Sequence, residues 1–430
     1  MLQQIHSLLW GKLMIALLTL LGLKLLFLTR CYPLRKAKAI LACLFSEGKK
    51  DPSSPSPLQA MCTALGGTIG VGNTVGVAAA IAVGGPGAVL WMIVSAFFAM
   101  IIKFCETWLS ARYRDESLGF GGPMHYIRAL LHSPLLAAFF ALSVLPASLF
   151  VGNLAQSHLV CASWDSIFHV PPPLTGLALS LLTGAVIFGG AKRIHRLSAV
   201  LVPLMSILYV LLCIVMILGN LSRVPAALVS ILRQGFSFAA VGGGVSGFAL
   251  SQAIVCGFSK GMFSNEAGMG SAPFAHSQSS EADPVKQGCW GILEVFIDTV
   301  LICFLSALVL LTCNEGSQTV TSAMLSCFTG RFGTAGAWFF VLSMTLFAFA
   351  SMCSWSMYAE CALKTLTKTK LPLFLFRGLF ALCIPFGSLL PAETILLLAD
   401  LFNALMALPN VASLLVITSL KEIKGELKTL

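Results

Sequence analysis

Eleven apolar runs, each near the ~20 residues that let an α-helix cross ~30 Å of hydrocarbon, constrain this chain more than any other feature. They lie at 8–29, 58–83, 86–111, 134–160, 173–190, 198–219, 236–258, 288–312, 334–361, 371–390 and 393–418. Of the 430 residues, 57% are hydrophobic and only 10% are charged, against roughly 25% charged in soluble domains. So little charge cannot clothe a water-facing surface. In lipid every backbone polar group must be satisfied within the protein, which leaves helices or closed barrels. The runs have helix length, so the expectation is an all-α polytopic membrane protein with eleven transmembrane helices. The first run lacks a small-residue cleavage site and reads as a retained span.

The net charge of +10 could suggest nucleic acid, but the basic residues follow topology instead. One set of alternate loops carries Arg30, Arg35, Lys36, Lys38, Lys49 and Lys50, then Arg112, Arg114 and Arg128, then Lys192, Arg193 and Arg196. It continues with Lys260 and Lys286, then Lys364, Lys368 and Lys370, and ends with Lys421, Lys424 and Lys428. The opposite loops hold Lys12, Arg223, Arg233 and Arg331. Because cytoplasmic loops are enriched in Lys and Arg, the N-terminus is expected outside and the C-terminus in the cytoplasm, in the cell (inner) membrane. No basic run is interleaved with aromatics, which excludes a nucleic-acid platform. The 14 cysteines include no CxxC pair, so neither zinc nor a thioredoxin-like redox centre is indicated.

Two glycine clusters interrupt the apolar pattern. The second run reads ALGGTIGVGNTVGVA and the seventh FAAVGGGVSGFA. Each Gly destabilises a helix by roughly 1 kcal/mol relative to Ala. Close packing of small residues is one reading, since Gly72 and Gly76 stand at GxxxG spacing. Unwinding is the other. The clusters lie five runs apart, so their helices run in opposite directions, as in an inverted repeat with broken first helices. An unwound turn frees N–H groups for a carboxylate and carbonyls for a cation. Candidate substrate contacts are therefore Gly70, Gly72, Gly242, Gly243 and Gly244, with Thr68 and Asn73 beside the first break. Gly243→Val is expected to abolish substrate binding while the protein still reaches the membrane. Normal uptake by a well-expressed variant would reduce the cluster to a flexible or packing segment.

Polar side chains within the runs narrow the field, because such groups are costly in a bilayer. Gln156 offers both a donor and an acceptor, suited to an amino acid or to interhelical bonding. Asn73 could ligand a cation, bond the substrate or cap the break. Ser351 and Ser354 could present hydroxyls to a cation together with the carbonyls of Gly67 and Gly70. Trp355 could limit side-chain volume. Glu294 and Asp298, four residues apart, share one helix face, and Lys103 and Glu106 read as a structural pair. Ser264 near Glu266 has no histidine placed to activate it, so hydrolase chemistry is not supported. There is no P-loop.

The stretches GTIGVGNTVGVAAAIAVGGPGAVLWM, KFCETWLSARYR, GGPMHYI, VIFGGAKRIHR, GFSKGMFSNEAGMGSAPFAH, FAFASMCSWSMYAE and ADLFNALMALPN lie in order between residues 58 and 410. They resemble the alanine or glycine:cation symporter family. The chain departs from that pattern at Val71, His125, Ala350, Ser354, Met357 and Ala359. The resemblance implies a leucine-transporter-like 5+5 inverted-repeat core preceded by one extra helix. The expected division is 1–57, an extra helix and basic loop; 58–235, the first repeat; and 236–430, the second repeat and a short tail. The resemblance further implies import of alanine or glycine with sodium as coupling ion and no other cofactor, and it makes SNEAG part of a cytoplasmic gate. A proton-coupled carrier and a non-transporting amino-acid sensor are the alternatives.

Overall fold

The computed structural model describes residues 13–43, 54–70, 72–236, 244–313 and 320–430. Among these the regular elements are all helical. They comprise α1 (Met14–Leu28), α2 (Pro57–Thr68), α3 (Val77–Gly84), α4 (Gly87–Arg112), α5 (Pro134–Leu149), α6 (Ala155–Phe168), α7 (Pro172–Ile187) and α8 (Ala191–Gly219). The second half contains α9 (Gly244–Asn265), α10 (Pro284–Val295), α11 (Phe304–Cys313), α12 (Val320–Leu366), α13 (Leu371–Cys383), α14 (Ala392–Ile417) and α15 (Lys421–Thr429). π turns at Gly72–Gly76, Phe150–Leu154 and Phe296–Cys303 lead into α3, join α5 to α6, and join α10 to α11.

Each apolar run overlaps a helix, but not each helix is a full span by length and composition. Among the described residues, and counting α5 with α6 and α10 with α11 as continuous across their π turns, seven helices are long and apolar enough to cross a membrane, or eight when α2 and the Gly72–Gly84 helix, bent by 57°, count as one. α1 and α7 are apolar but shorter, and α9 is not among the seven. The run starting at 334 begins just after Gly333, whose φ of 58° interrupts α12. Proline supplies several helix starts, because its missing N–H and fixed φ suit the first turn. Ser56 and Gln59 form a reciprocal capping box ahead of Pro57, and Asp283 accepts from Val285 N–H ahead of Pro284.

α8 exposes Val200, Leu204, Ile207, Leu211 and Leu218 along one face, the pattern of a lipid-facing helix. α4 is the opposite case. It is buried along most of its length and packs against α9 and α10. α2 lies between α8 and α12. This inner group of helices positions the site. Short helices at Pro123–Leu131 and Val224–Gly235 fill stretches that the apolar runs leave as loops.

Candidate substrate and cation site

α2 stops at Thr68, where Ile69 turns extended (φ −73°, ψ 95°). The Thr68 hydroxyl bonds back to Ala64 O at 3.4 Å and Leu65 O at 3.3 Å, as helical threonines often do. Asn73 closes the break. Its Oδ1 accepts from Gly70 N–H at 3.1 Å, and its own N–H donates to Gly70 O at 3.3 Å. Its Nδ2 donates to Asp298 Oδ1 at 2.6 Å. Asp298 Oδ2 accepts from Ser264 Oγ at 2.9 Å and Thr299 Oγ1 at 2.8 Å. One buried carboxylate thus ties the break to the end of α9 and to the π turn after α10.

A cavity of about 290 Å³ opens beside the break. Gly67, Thr68, Gly70, Gly72 and Gly76 form one wall, and Gln156 of α6 another. Lys260, Phe263 and Ser264 of α9, then Glu266, contribute a third, and Leu396, Ala399 and Asp400 of α14 close it. A Cβ on Gly72 or Gly76 would meet nothing within 4 Å. These two glycines therefore face open space rather than a packed helix. Gly70 sits under the Gln156 amide, whose Oε1 a Cβ would approach to 3.1 Å, and Gln156 Nε2 donates to Val151 O at 3.4 Å.

Trp355 does not line this cavity. It is fully buried, edge-on to Tyr358 with ring centroids 5.6 Å apart. It presses so closely on Gly152 that a Cβ there would come within 2.2 Å. The serines on the same helix meet α2 directly. Ser351 Oγ donates to Gly67 O at 3.3 Å, and Ser354 Oγ donates to Thr63 O at 2.8 Å. Two carbonyls one turn apart on α2 and two hydroxyls on α12 form a seam of hard oxygens, the donor type that hard cations select. Gly70 O lies outside this seam and accepts from Asn73.

The seventh-run cluster meets the structure only in part. Gly242 and Gly243 lie outside the described residues, and Gly244 opens α9, which continues to Asn265. The buried irregular backbone comes after this helix. Glu266, Gly268 and Gly270 take positive φ of 54°, 85° and 78°, in a segment with almost no exposure. Gly268 N–H donates to Glu106 Oε2 at 3.2 Å, and Asn410 Nδ2 donates to Gly268 O at 2.9 Å. Lys103 Nζ pairs with Glu294 Oε1 at 3.3 Å, and His276 Nε2 lies 2.9 Å from Glu294 Oε2.

Two readings, the pairing of Lys103 with Glu106 and the placement of Lys260 in a loop, are thereby corrected. Lys103 pairs with Glu294, and Glu106 holds Asn410 and Gly268 instead of Lys103. Ser264 and Glu266 belong to the cavity wall. Lys260 sits within α9 on that wall, not in a loop, because the helix runs seven residues past the apolar run that ends at 258. The alternation of Gly and Pro in EAGMGSAP was the available signal for the irregular segment.

Among the described residues the regular elements are all helical, and a buried helix break opens onto a cavity with both apolar and polar walls, an arrangement shared with membrane carriers built on broken helices. The chain belongs to the sodium:alanine symporter family, whose model matches residues 1–426. It is 33% identical over 428 residues to the sodium/alanine symporter AgcS of Methanococcus maripaludis, covering 96% of this chain and 93% of that one. It is also 33% identical over 433 residues to the probable sodium/glutamine symporter GlnT of Bacillus subtilis, covering 97% and 89%. Among solved structures, a mutant manganese transporter from Eremococcus coleocola aligns with a TM-score of 0.61 over 87% of this chain and 81% of that one. At 14% identity that likeness is one of fold.

Proposed function

We propose that the protein is a secondary active symporter that imports a small neutral amino acid, alanine or glycine, coupled to sodium. The observation that carries this reading is the adjacency of the cavity to the oxygen seam. Gly67 lines the cavity, and its carbonyl belongs to the seam with Ser351. Substrate and cation would then share one residue. The chain carries out no chemical step on its substrate, and its partners are the amino acid, sodium and the bilayer. Eleven spans, a 5+5 inverted repeat over 58–235 and 236–430, an outside N-terminus and a cytoplasmic C-terminus complete the proposal. The family membership supports it, as does the overlap of every run with a helix.

Uptake of labelled alanine and glycine into proteoliposomes under separate sodium and proton gradients tests the function. Accumulation is expected with sodium alone. A proton-coupled carrier is the second reading, favoured by Asp298, a buried carboxylate bonded directly to the broken helix. It predicts uptake with the proton gradient alone. Equilibrium binding without flux would identify a sensor. Topology is tested by reporter fusions at both termini, expected on opposite sides of the membrane. The same location for both would require an even span count and overturn the repeat.

A further inference from the structure

We propose that Lys260 anchors the α-carboxylate of the transported amino acid, an assignment that rests on the cavity being the amino-acid site. Lys260 stands on α9, one turn before Ser264. Among the described residues it is the one basic side chain lining the cavity. Among the described residues its ammonium makes no hydrogen bond or ion pair; its neighbour is the Phe263 ring, 5.6 Å away. A cation inside a helical membrane protein is costly unless it is paired or faces a polar cavity, and such residues mark substrate pathways. Lys260 faces a cavity whose walls also carry the polar side chains of Thr68, Gln156 and Ser264, and among the described residues it has no ion-pair partner.

Three backbone donors on the α2 side of the break and at Asn73 are already engaged. Ile69 N–H donates to Leu65 O at 2.7 Å, Gly70 N–H donates to Asn73 Oδ1, and Asn73 N–H donates to Gly70 O. The break therefore satisfies these three amides internally, and the ammonium is a charged donor facing the cavity. Acidic groups on the same walls, Glu266 and Asp400, complement the other end of a zwitterion. The ligand class is thus an α-amino acid with a free carboxylate, and the Gln156 amide lies opposite, beside Gly70. A gating role, in which Lys260 closes onto Glu266 or Asp400 when the cavity empties, predicts a different result.

The test compares L-alanine with L-alaninamide, which lacks the carboxylate, by calorimetric titration of the purified full chain in sodium buffer. The unmodified protein is expected to bind the amide about 10- to 100-fold more weakly than alanine, the range of a charge-assisted hydrogen bond. Lys260→Met should weaken alanine by a similar factor while leaving the amide unchanged or tighter, so that the preference falls to within about threefold. Lys260→Arg should keep the preference. Lys260→Gln supplies the same ratio should the Met variant fail to fold. Equal weakening of both ligands, or an intact preference in the Met or Gln variant, would overturn the assignment and leave a gating or structural lysine. Failure of the unmodified protein to bind alanine, glycine or glutamine would overturn it together with the amino-acid reading. That result is distinguishable because it needs no variant.

Discussion

Lys103→Met is expected to yield a carrier that expresses poorly and melts far below the parent. The Lys103 and Glu294 side chains are 0% and 1% exposed, so loss of the ammonium leaves a carboxylate in the protein interior with His276 in place of its lysine partner. Removing one partner of a buried pair destabilises by about 3–5 kcal/mol, whereas replacing both is often neutral. The double variant Lys103→Met, Glu294→Gln should therefore recover most of the lost stability. His276 and Gln287 would still be linked at 2.9 Å. Thermal melts of detergent-purified protein supply the measurement. A single variant as stable as the parent would show that the pair does not fasten α4 to α10.

Sodium should tighten alanine, and alanine should tighten sodium by the same factor, since linkage is reciprocal. Typical coupling is about 1–3 kcal/mol, or 5- to 150-fold in affinity. The structural basis is Gly67, which offers its surface to the cavity and its carbonyl to Ser351. Alanine affinity is measured at several sodium concentrations, with choline as replacement and pH fixed. An affinity that ignores sodium but follows pH would transfer the coupling to protons through Asp298. An affinity that ignores both would favour the sensor.

Helix positions were legible in the sequence because lipid leaves an apolar run little else to become. The first break was legible too, since Gly72 and Gly76 have open space beside them and Asn73 sits at the gap. Pairing across the fold was not. Nothing in the local spacing distinguishes Lys103 with Glu106, three residues apart, from Lys103 with Glu294 on another helix. The seventh-run glycines precede the EAGMGS segment, where Glu266, at positive φ, meets the cavity wall. Hydropathy also ended the seventh span at residue 258 because Lys260 is charged. The helix continues, since a lysine facing a cavity with polar groups on its walls need not end a span. Trp355 illustrates the same limit: its place beside Gly152 depends on close approach between α12 and the α5–α6 junction, which no local pattern encodes.

The π turn at Phe150–Leu154 has a consequence for any residue beyond it. A π turn holds one residue more than the α-helical path would, and one residue is about 100° of rotation. Every side chain of α6 is therefore aimed by an insertion that lies before it. Deleting a single residue within Phe150–Leu154 would restore an unbroken α-helix and swing Gln156 about a quarter turn away from Gly70. Ser157, which donates to Ile384 O at 2.6 Å, would lose its partner in the same movement. The aim of the cavity's amide is thus set by chain length upstream as much as by its own identity, and deleting one residue of the turn other than Val151, which lines the cavity, would re-aim the helix without changing the identity of any wall residue.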